Sequence, residues 1–336
     1  MKIPSILCCA STLLALAISS AGAPPKVAHK AWTDPETALR EDPDFAIQGE
    51  YVNYSTQVTV GLQIIALGEG KFDAYILEGG LPAAGWNPGM SRVPLKGNHD
   101  GSKITFTDDA GKIVVKMMEN GRFSLTGNNN PGLELQRIER KSPTLNAKPP
   151  AGAVVLFDGT SVDAWENGKM ENGLLLASGS TSKQQSADYT LHLEFRTPYM
   201  PTARGQQRGN SGVYHSGRWE TQILDSFGLD GKDNDCGGIY SISKARLNMC
   251  LPPLAWQTYD VVFTAAKFDT DGKRTAWPRI TVKLNGVLVH EDLELSKDFT
   301  TSAPINRPLD GPKGPVFLQY HNNPVVFRNI WIIPGK

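Results

Sequence analysis

Short alternating apolar runs, each closed by a turn signal, constrain this chain most. No stretch sustains the 3.6-residue apolar period over a helix-sized span, so an all-β fold is predicted. From Phe45 to Arg137 the runs are Tyr51–Tyr54, Gln57–Leu67, Lys71–Leu77, Lys103–Thr107, Lys112–Met118, Arg122–Thr126 and Leu133–Ile138. Between them stand Gly68-Glu69-Gly70, Asp109-Ala110-Gly111, Asn120-Gly121 and a Gly/Asn/Pro loop over 127–132. That spacing predicts a small antiparallel barrel or sandwich within residues 24–138. Residues 139–153 turn charged and then Pro-rich, as an interdomain linker does. Residues 154–336 are again strand-rich, with Asn285-Gly286 as a hairpin turn, and predict a two-sheet jelly roll. The high Gly (33) and Pro (23) counts agree with so many turns. The one helical signal is Thr33–Arg40, with Thr33 or Asp34 as cap and Pro35 in the first turn. Trp86, in the loop Leu81–Asn87, is expected to plug one end of the first domain.

The first 23 residues read as a secretory signal: Lys2, an apolar run Ile6–Ile18, then small residues before Pro24. The run is too short for a membrane span, and the expected location is periplasmic or extracellular. Cys8 and Cys9 fall inside this segment, which leaves Cys236 and Cys250. In an exported chain such a pair reads as one disulfide, stabilising by roughly 3 kcal/mol in the chain-entropy picture; two free thiols are the alternative. Thirty-four basic residues balance 34 acidic ones, so nothing marks a nucleic-acid or anionic-membrane partner. Asn53-Tyr54-Ser55 matches a glycosylation acceptor, relevant only in a eukaryotic secretory route.

The stretch from Gly209 to Asp225 concentrates polar chemistry on strands. It reads as two strands around a tight turn at Ser216-Gly217. Period-two alternation puts Trp219, Thr221 and Ile223 on one face and Glu220, Gln222 and Leu224 on the other, with Asp225 at the strand end and Asn210 nearby. Carboxylates and carboxamides beside aromatic rings suit sugar hydroxyls and sugar C–H faces; an ordinary solvated sheet face is the plainer reading. Two further strands could share that face. One carries His192, Glu194 and Arg196, the other Gln319 and His321. Together they supply the parts for acid–base work on a sugar, although each alone could be a surface or loop residue. The acidic loop Asp225–Asp235 could hold a divalent cation or be a polar turn. Phosphate-loop, paired-His metal and Gly-x-Ser-x-Gly patterns are absent from the sequence.

The second half also resembles the 3-keto-disaccharide hydrolase domain family. The resemblance rests on Leu156-Phe157-Asp158-Gly159-Thr160 with Ala164-Trp165, Leu191–Arg196, Gly209–Tyr214, Glu220–Ser226, Cys236–Tyr240, Trp256–Asp260, Val282–Val287 and Gln319–Trp331. It implies a concanavalin-like jelly roll and cleavage of glycosidic bonds in sugars oxidised at C3. A C3 ketone acidifies the C2 proton; its removal gives an enolate that expels the C1 group, and water later adds back. On this resemblance Glu220 or Glu194 is the expected base and His321 the acid. Asn210, Gln222, Gln319, Arg196, His192 and Asp225 are expected to position substrate, with a cation as an alternative way to polarise the ketone. A non-catalytic carbohydrate-binding module is the competing expectation, and a structural exported protein a third.

Overall fold

The computed structural model describes residues 29–53, 58–101, 103–127 and 130–335. The signal-peptide reading therefore lies outside the described residues, as do Tyr54 and Ser55 of the sequon. Asn53 itself is buried, and its carboxamide bonds the backbone of Val58 and Val60, so it is not presented for glycosylation.

The first half is an eight-stranded closed barrel: β1 (Gly49–Val52), β2 (Val60–Gly68), β3 (Lys71–Glu78), β4 (Arg92–Asp100), β5 (Lys103–Thr107), β6 (Val114–Met117), β7 (Phe123–Gly127) and β8 (Asn130–Ile138). Each strand pairs antiparallel with the next, and β8 closes on β1 through Glu50↔Ile138 and Val52↔Gln136. Closure leaves no unpaired edge. Inward positions hold Leu62, Ile64, Phe72, Phe106, Val115, Phe123 and Leu135. Phe106 sits edge-on to Phe72 and Phe123, each 5.8 Å away. Gly97 makes room for it, since a Cβ there would fall 2.3 Å from the Phe106 ring. Two short helices precede β1. Asp34 caps α1 (Pro35–Glu41), accepting from the Thr37 N–H, as the sequence predicts. Asp42 caps α2 (Pro43–Ile47), which occupies the place where a strand pattern was expected to begin. Trp86 does not plug the barrel; it packs against the core of the second half and donates to the Ser91 carbonyl.

The second half is a sandwich of two antiparallel sheets. The larger runs β11 (Met170–Glu171), β12 (Leu174–Leu176), β21 (Val326–Pro334), β14 (Tyr189–Arg196), β17 (Gln257–Thr264), β18 (Arg279–Leu284), β19 (Val287–Glu294), with β9 (Val154–Phe157) also on β21. The smaller runs β10 (Trp165–Glu166), β13 (Ser180–Ser186), β20 (Gly314–Leu318), β15 (Ser211–His215), β16 (Trp219–Ile223). Leu191, Leu193, Phe195, Val261 and Phe327 of the large sheet meet Val213, Trp219, Ile223 and Leu318 of the small one. Alternation then directs Glu194 and Glu220 to the outer faces of opposite sheets.

The halves interlock. Tyr199 and Leu254 enter the barrel's apolar cluster, while Ile65 of β2 enters that of the sandwich. Arg208 pairs with Asp225 at 2.7 Å and reaches the Gln48 side-chain oxygen at 3.4 Å. The 139–153 segment lies against the large sheet: Thr144 bonds Thr258 and Asp260, and the Ala147 carbonyl accepts from Asn329 and Trp331.

The expected disulfide is absent. Cys236 and Cys250 are free, buried thiols within the sandwich core, Cys236 Sγ lying 3.4 Å from the Tyr259 hydroxyl and Cys250 Sγ donating to the Leu224 carbonyl at 3.4 Å. Backbone bonds hold the loop instead: Gly237 N–H to Gln222, Gln222 N–H to Gly238 and Tyr240 N–H to Glu220 lay residues 237–240 along β16.

Candidate functional site

The outer face of β15 and β16 carries the site. Ser216 and Gly217 both take positive φ (51° and 64°), the geometry a tight hairpin turn requires, and this sets the register Gly212↔Gln222 and Tyr214↔Glu220. Gly212, Tyr214, Glu220 and Gln222 thus share one face, while Val213 and Ile223 go to the core. The Gln319 N–H donates to the Gly212 carbonyl at 2.9 Å, bringing its carboxamide onto the same patch. Only glycine fits at 212: a Cβ would lie 2.1 Å from Glu220 Oε1.

Glu220 is 2% exposed. Burial raises its pKa to about 8, against the opposing hydrogen bond from Tyr214. Tyr214 Oη lies 2.8 Å from Glu220 Oε2 and 2.9 Å from the Thr301 carbonyl, and accepts from Gln319 Nε2 at 3.0 Å. A phenol has one proton, so it cannot donate to both oxygens. With Glu220 protonated, the carboxylic acid donates to Tyr214 and Tyr214 donates to Thr301, and every partner is satisfied. With Glu220 ionised, Tyr214 turns to the carboxylate and the Thr301 carbonyl loses its donor. The Thr301 carbonyl therefore competes with the carboxylate for the phenolic proton, and the Tyr214 bond offsets only part of the rise that burial causes.

The same side of the sheet carries three carboxamides whose oxygens are buried without a partner: Asn210 Oδ1, Gln222 Oε1 and Gln319 Oε1. Their donor ends are engaged. Asn210 Nδ2 and Gln222 Nε2 both point at one atom, Gln206 Oε1, at 3.2 and 2.9 Å. Gln206 belongs to a 3-10 turn, Gly205–Gln207, and is half-buried. Two N–H groups converging on a single oxygen form a cradle for a carbonyl or oxyanion.

The remaining residues expected at the site lie elsewhere or are otherwise committed. His192, Glu194 and Arg196 belong to β14 in the other sheet and do not share a face with Glu220. Glu194 Oε2 accepts from Arg328 at 2.7 Å, and Oε1 accepts from Asn329 and from the Asn146 N–H. Although burial alone would raise it, bonds from His192, Asn329, Arg328 and Asn146 hold Glu194 down at about 2. His192 lies 2.6 Å from Asp260 and stacks on Trp331; burial opposes its charge, but the Asp260 and Glu194 bonds prevail and raise its pKa. Arg196 donates to the Thr33 carbonyl and lies over Trp256. His321 follows the end of β20, is exposed, and makes no side-chain hydrogen bond among the described residues. Asp225 is paired with Arg208. The acidic loop gathers no cation site: Asp230 pairs with Arg92 at 2.6 Å and Asp235 accepts from the Lys232 N–H. Among the described residues no group of three His, Cys, Asp or Glu side chains could hold a metal.

Tyr214, Gln206 and Thr301 were not expected. Tyr214 was legible, because the alternation of β15 puts it opposite Glu220. Gln206 and Thr301 come from loops and carry no local signal.

A candidate glycosyl hydrolase from Parabacteroides distasonis is 32% identical; the match covers 55% of this chain and 85% of that one, with a TM-score of 0.51. A second such protein from the same organism is 16% identical over 55% of this chain and 94% of that one, with a TM-score of 0.40. No curated protein matches the chain. Residues 152–333, which contain both sheets and every residue around Glu220, match the 3-keto-alpha-glucoside-1,2-lyase-like domain, and the chain belongs to that family.

Proposed function

We propose that this protein cleaves the glycosidic bond of 3-keto-glycosides, with Glu220 as the base that removes the C2 proton. The observation that carries this reading is a buried carboxyl with a pKa near 8, on a sheet face that also holds three carboxamide oxygens lacking donors. Unmet buried acceptors are costly, and sugar hydroxyls are donors of the right kind. A carboxylate of raised pKa is a stronger base than an ordinary glutamate while still partly ionised near neutral pH.

In this reading the substrate's C3 oxygen takes the place of Gln206 Oε1 between Asn210 Nδ2 and Gln222 Nε2. Gln206 swings aside to admit it. Glu220 takes the C2 proton, and the electron pair forms the C2–C3 enolate, whose oxygen the two N–H groups stabilise. The enolate collapses to restore the ketone and form the C1–C2 double bond. The C1–O bond breaks, and the departing oxygen receives the proton held by Glu220. Water then adds across the double bond, its hydroxyl to C1 and its proton to C2. Between the two transfers the protonated Glu220 donates to Tyr214, which turns its own hydroxyl to the Thr301 carbonyl.

The enclosed carboxyl favours an enzyme over a carbohydrate-binding module, whose groove would be open and lined by exposed rings. The test is release of aglycone from a 3-keto-glucoside and from its unoxidised counterpart, with wild type and Glu220→Gln. Release from the keto compound alone, lost in the variant, is expected. Binding of either compound without release would establish the binding module instead. Full turnover by Glu220→Gln would remove Glu220 from the base role.

A further inference from the structure

The connection from β19 to β20, residues 295–313, contains no helix or strand and carries Pro304, Pro308 and Pro312. Structureless connections longer than about 12–15 residues are uncommon and usually functional. This one lies over the hairpin that holds Glu220. Thr300 Oγ1 accepts from the Glu220 N–H at 3.0 Å, and the Thr301 carbonyl accepts from the Tyr214 hydroxyl at 2.9 Å. A carbonyl in a loop is placed only as firmly as the loop is held, and a shift of about 1 Å would break that bond.

Arg218 supplies the hold. It stands two residues before Glu220 and is 3% exposed. Its guanidinium donates to the Arg307 carbonyl and, at 3.3 Å, to that of Pro308; it reaches the Asp298 carbonyl at 3.5 Å and pairs with Asp310 at 3.0 Å. Its own carbonyl accepts from the Thr300 N–H at 2.8 Å and the Thr300 hydroxyl at 3.1 Å. One side chain thus joins the chain before Thr301 to the chain after it, a span that suits a flat fork of five donors. Trp219 and Gly217 tie down Lys297 and Ile305 by single bonds. The groups that face Glu220 leave this route open. Tyr214 of β15 is the titratable side chain bonded to it, and Tyr240, on the segment along β16, bears on Tyr214. Thr300 and Thr301 do not titrate, and Arg218 forms its ion pair with Asp310 rather than with Glu220.

We infer that Arg218 is a positioning residue: by tying 298–310 to the hairpin it keeps the Thr301 carbonyl on the Tyr214 hydroxyl, where it competes with Glu220 for the phenolic proton. The inference rests on the reading of Glu220 as the base. The test is infrared titration of the full chain, following the C=O stretch of the protonated carboxyl that Glu220→Gln lacks. Arg218→Met removes the donors and frees Tyr214 to donate wholly to the carboxylate, so Glu220 should titrate roughly half to one pH unit lower. In a Tyr214→Phe background Arg218→Met should add no further shift, because the proton through which it acts is gone. A role limited to holding the fold or excluding water would shift the band in both backgrounds. Arg218→Lys keeps the charge but cannot span the carbonyls; it should shift the band in the same direction by less, and carries the test if Arg218→Met does not fold. The acid limb of kcat/KM on a 3-keto-glucoside should move with the band. Absence of cleavage in the wild type would end the base reading and leave the infrared result to decide the role of Arg218. An unshifted band in both Arg218 variants, or a shift that persists at full size in the Tyr214→Phe background, overturns the proposal.

Discussion

Glu194 and Glu220 hold equivalent places in the two sheets of the sandwich. Each alternates with core residues along its strand, each faces outward, and each is almost fully buried, at 0% and 2% exposed. They are nonetheless in opposite states. The linker and β21 surround Glu194 with a guanidinium, a carboxamide and a backbone N–H, and it is ionised. Glu220 has one hydroxyl, shared with a carbonyl, and is held near neutral. Both are closed to solvent, but Glu220 lies deeper, so depth and the supply of donors together decide the charge. A carboxylate saturated with donors is a structural anchor of low basicity; one left short of them is a base in waiting.

The sharpest way to break this comparison is turnover. Glu220→Gln should lower 3-keto-glucoside cleavage by about 10²–10⁴-fold, the usual worth of a general base. Glu194→Gln should leave turnover per folded molecule unchanged. Equal losses in both would end the distinction. Next comes stability in urea. Glu194→Gln strands the Arg328 charge and should cost about 3 kcal/mol, whereas Glu220→Gln at pH 7 should cost nothing or stabilise slightly.

The pH dependence sharpens the same contrast. Glu220 is raised from its ordinary 4.5 to about 8, so between those values the folded state binds a proton that the unfolded state has lost. Stability should therefore fall as pH rises through that window, and Glu220→Gln should flatten the fall. Glu194 is lowered to about 2, so its contribution is complete above 4.5 and lost as pH falls toward 2; Glu194→Gln should flatten that acid arm. For turnover, kcat/KM should climb with pH to a plateau above about 8 as Glu220 ionises. Tyr214→Phe removes the hydrogen bond that favours the ionised form, and should shift this limb alkaline by roughly half to one pH unit. The smallest effect should come from Gln206→Ala, which clears the amide cradle and should lower KM about two- to fivefold with kcat little changed.

Much of the fold was legible because alternation and turn chemistry are local. The α1 cap, the β15–β16 hairpin and the all-β class follow from such signals. Besides the two-residue β10 and β11, two longer strands are not legible. β4 contains Pro94 and Gly97, which argue against a strand, yet Pro94 faces Tyr75 in the ladder and Gly97 accommodates Phe106. β13 is Ser-Thr-Ser-Lys-Gln-Gln-Ser, with no apolar alternation. It is an interior strand because Ser182 accepts from the Val316 N–H and donates to the Gln184 carbonyl, so its small buried hydroxyls are satisfied. Cysteine count and spacing leave a disulfide and two free thiols both open, and the structure has the free thiols, buried in the sandwich core.

The sequence by itself determined which residues alternate outward, and so named Glu220, Gln222, Asn210 and Gln319 as well as Glu194, His192 and Arg196. It could not separate the two groups, since period-two alternation is the same in both sheets. Only the tertiary structure decided that β14 and β16 belong to different sheets. It alone laid the linker over one outer face and the Gln206 turn and Thr301 loop over the other. Those covering segments are remote in sequence from the carboxylates they cover, and a carboxylate's charge depends on the donors that surround it in space.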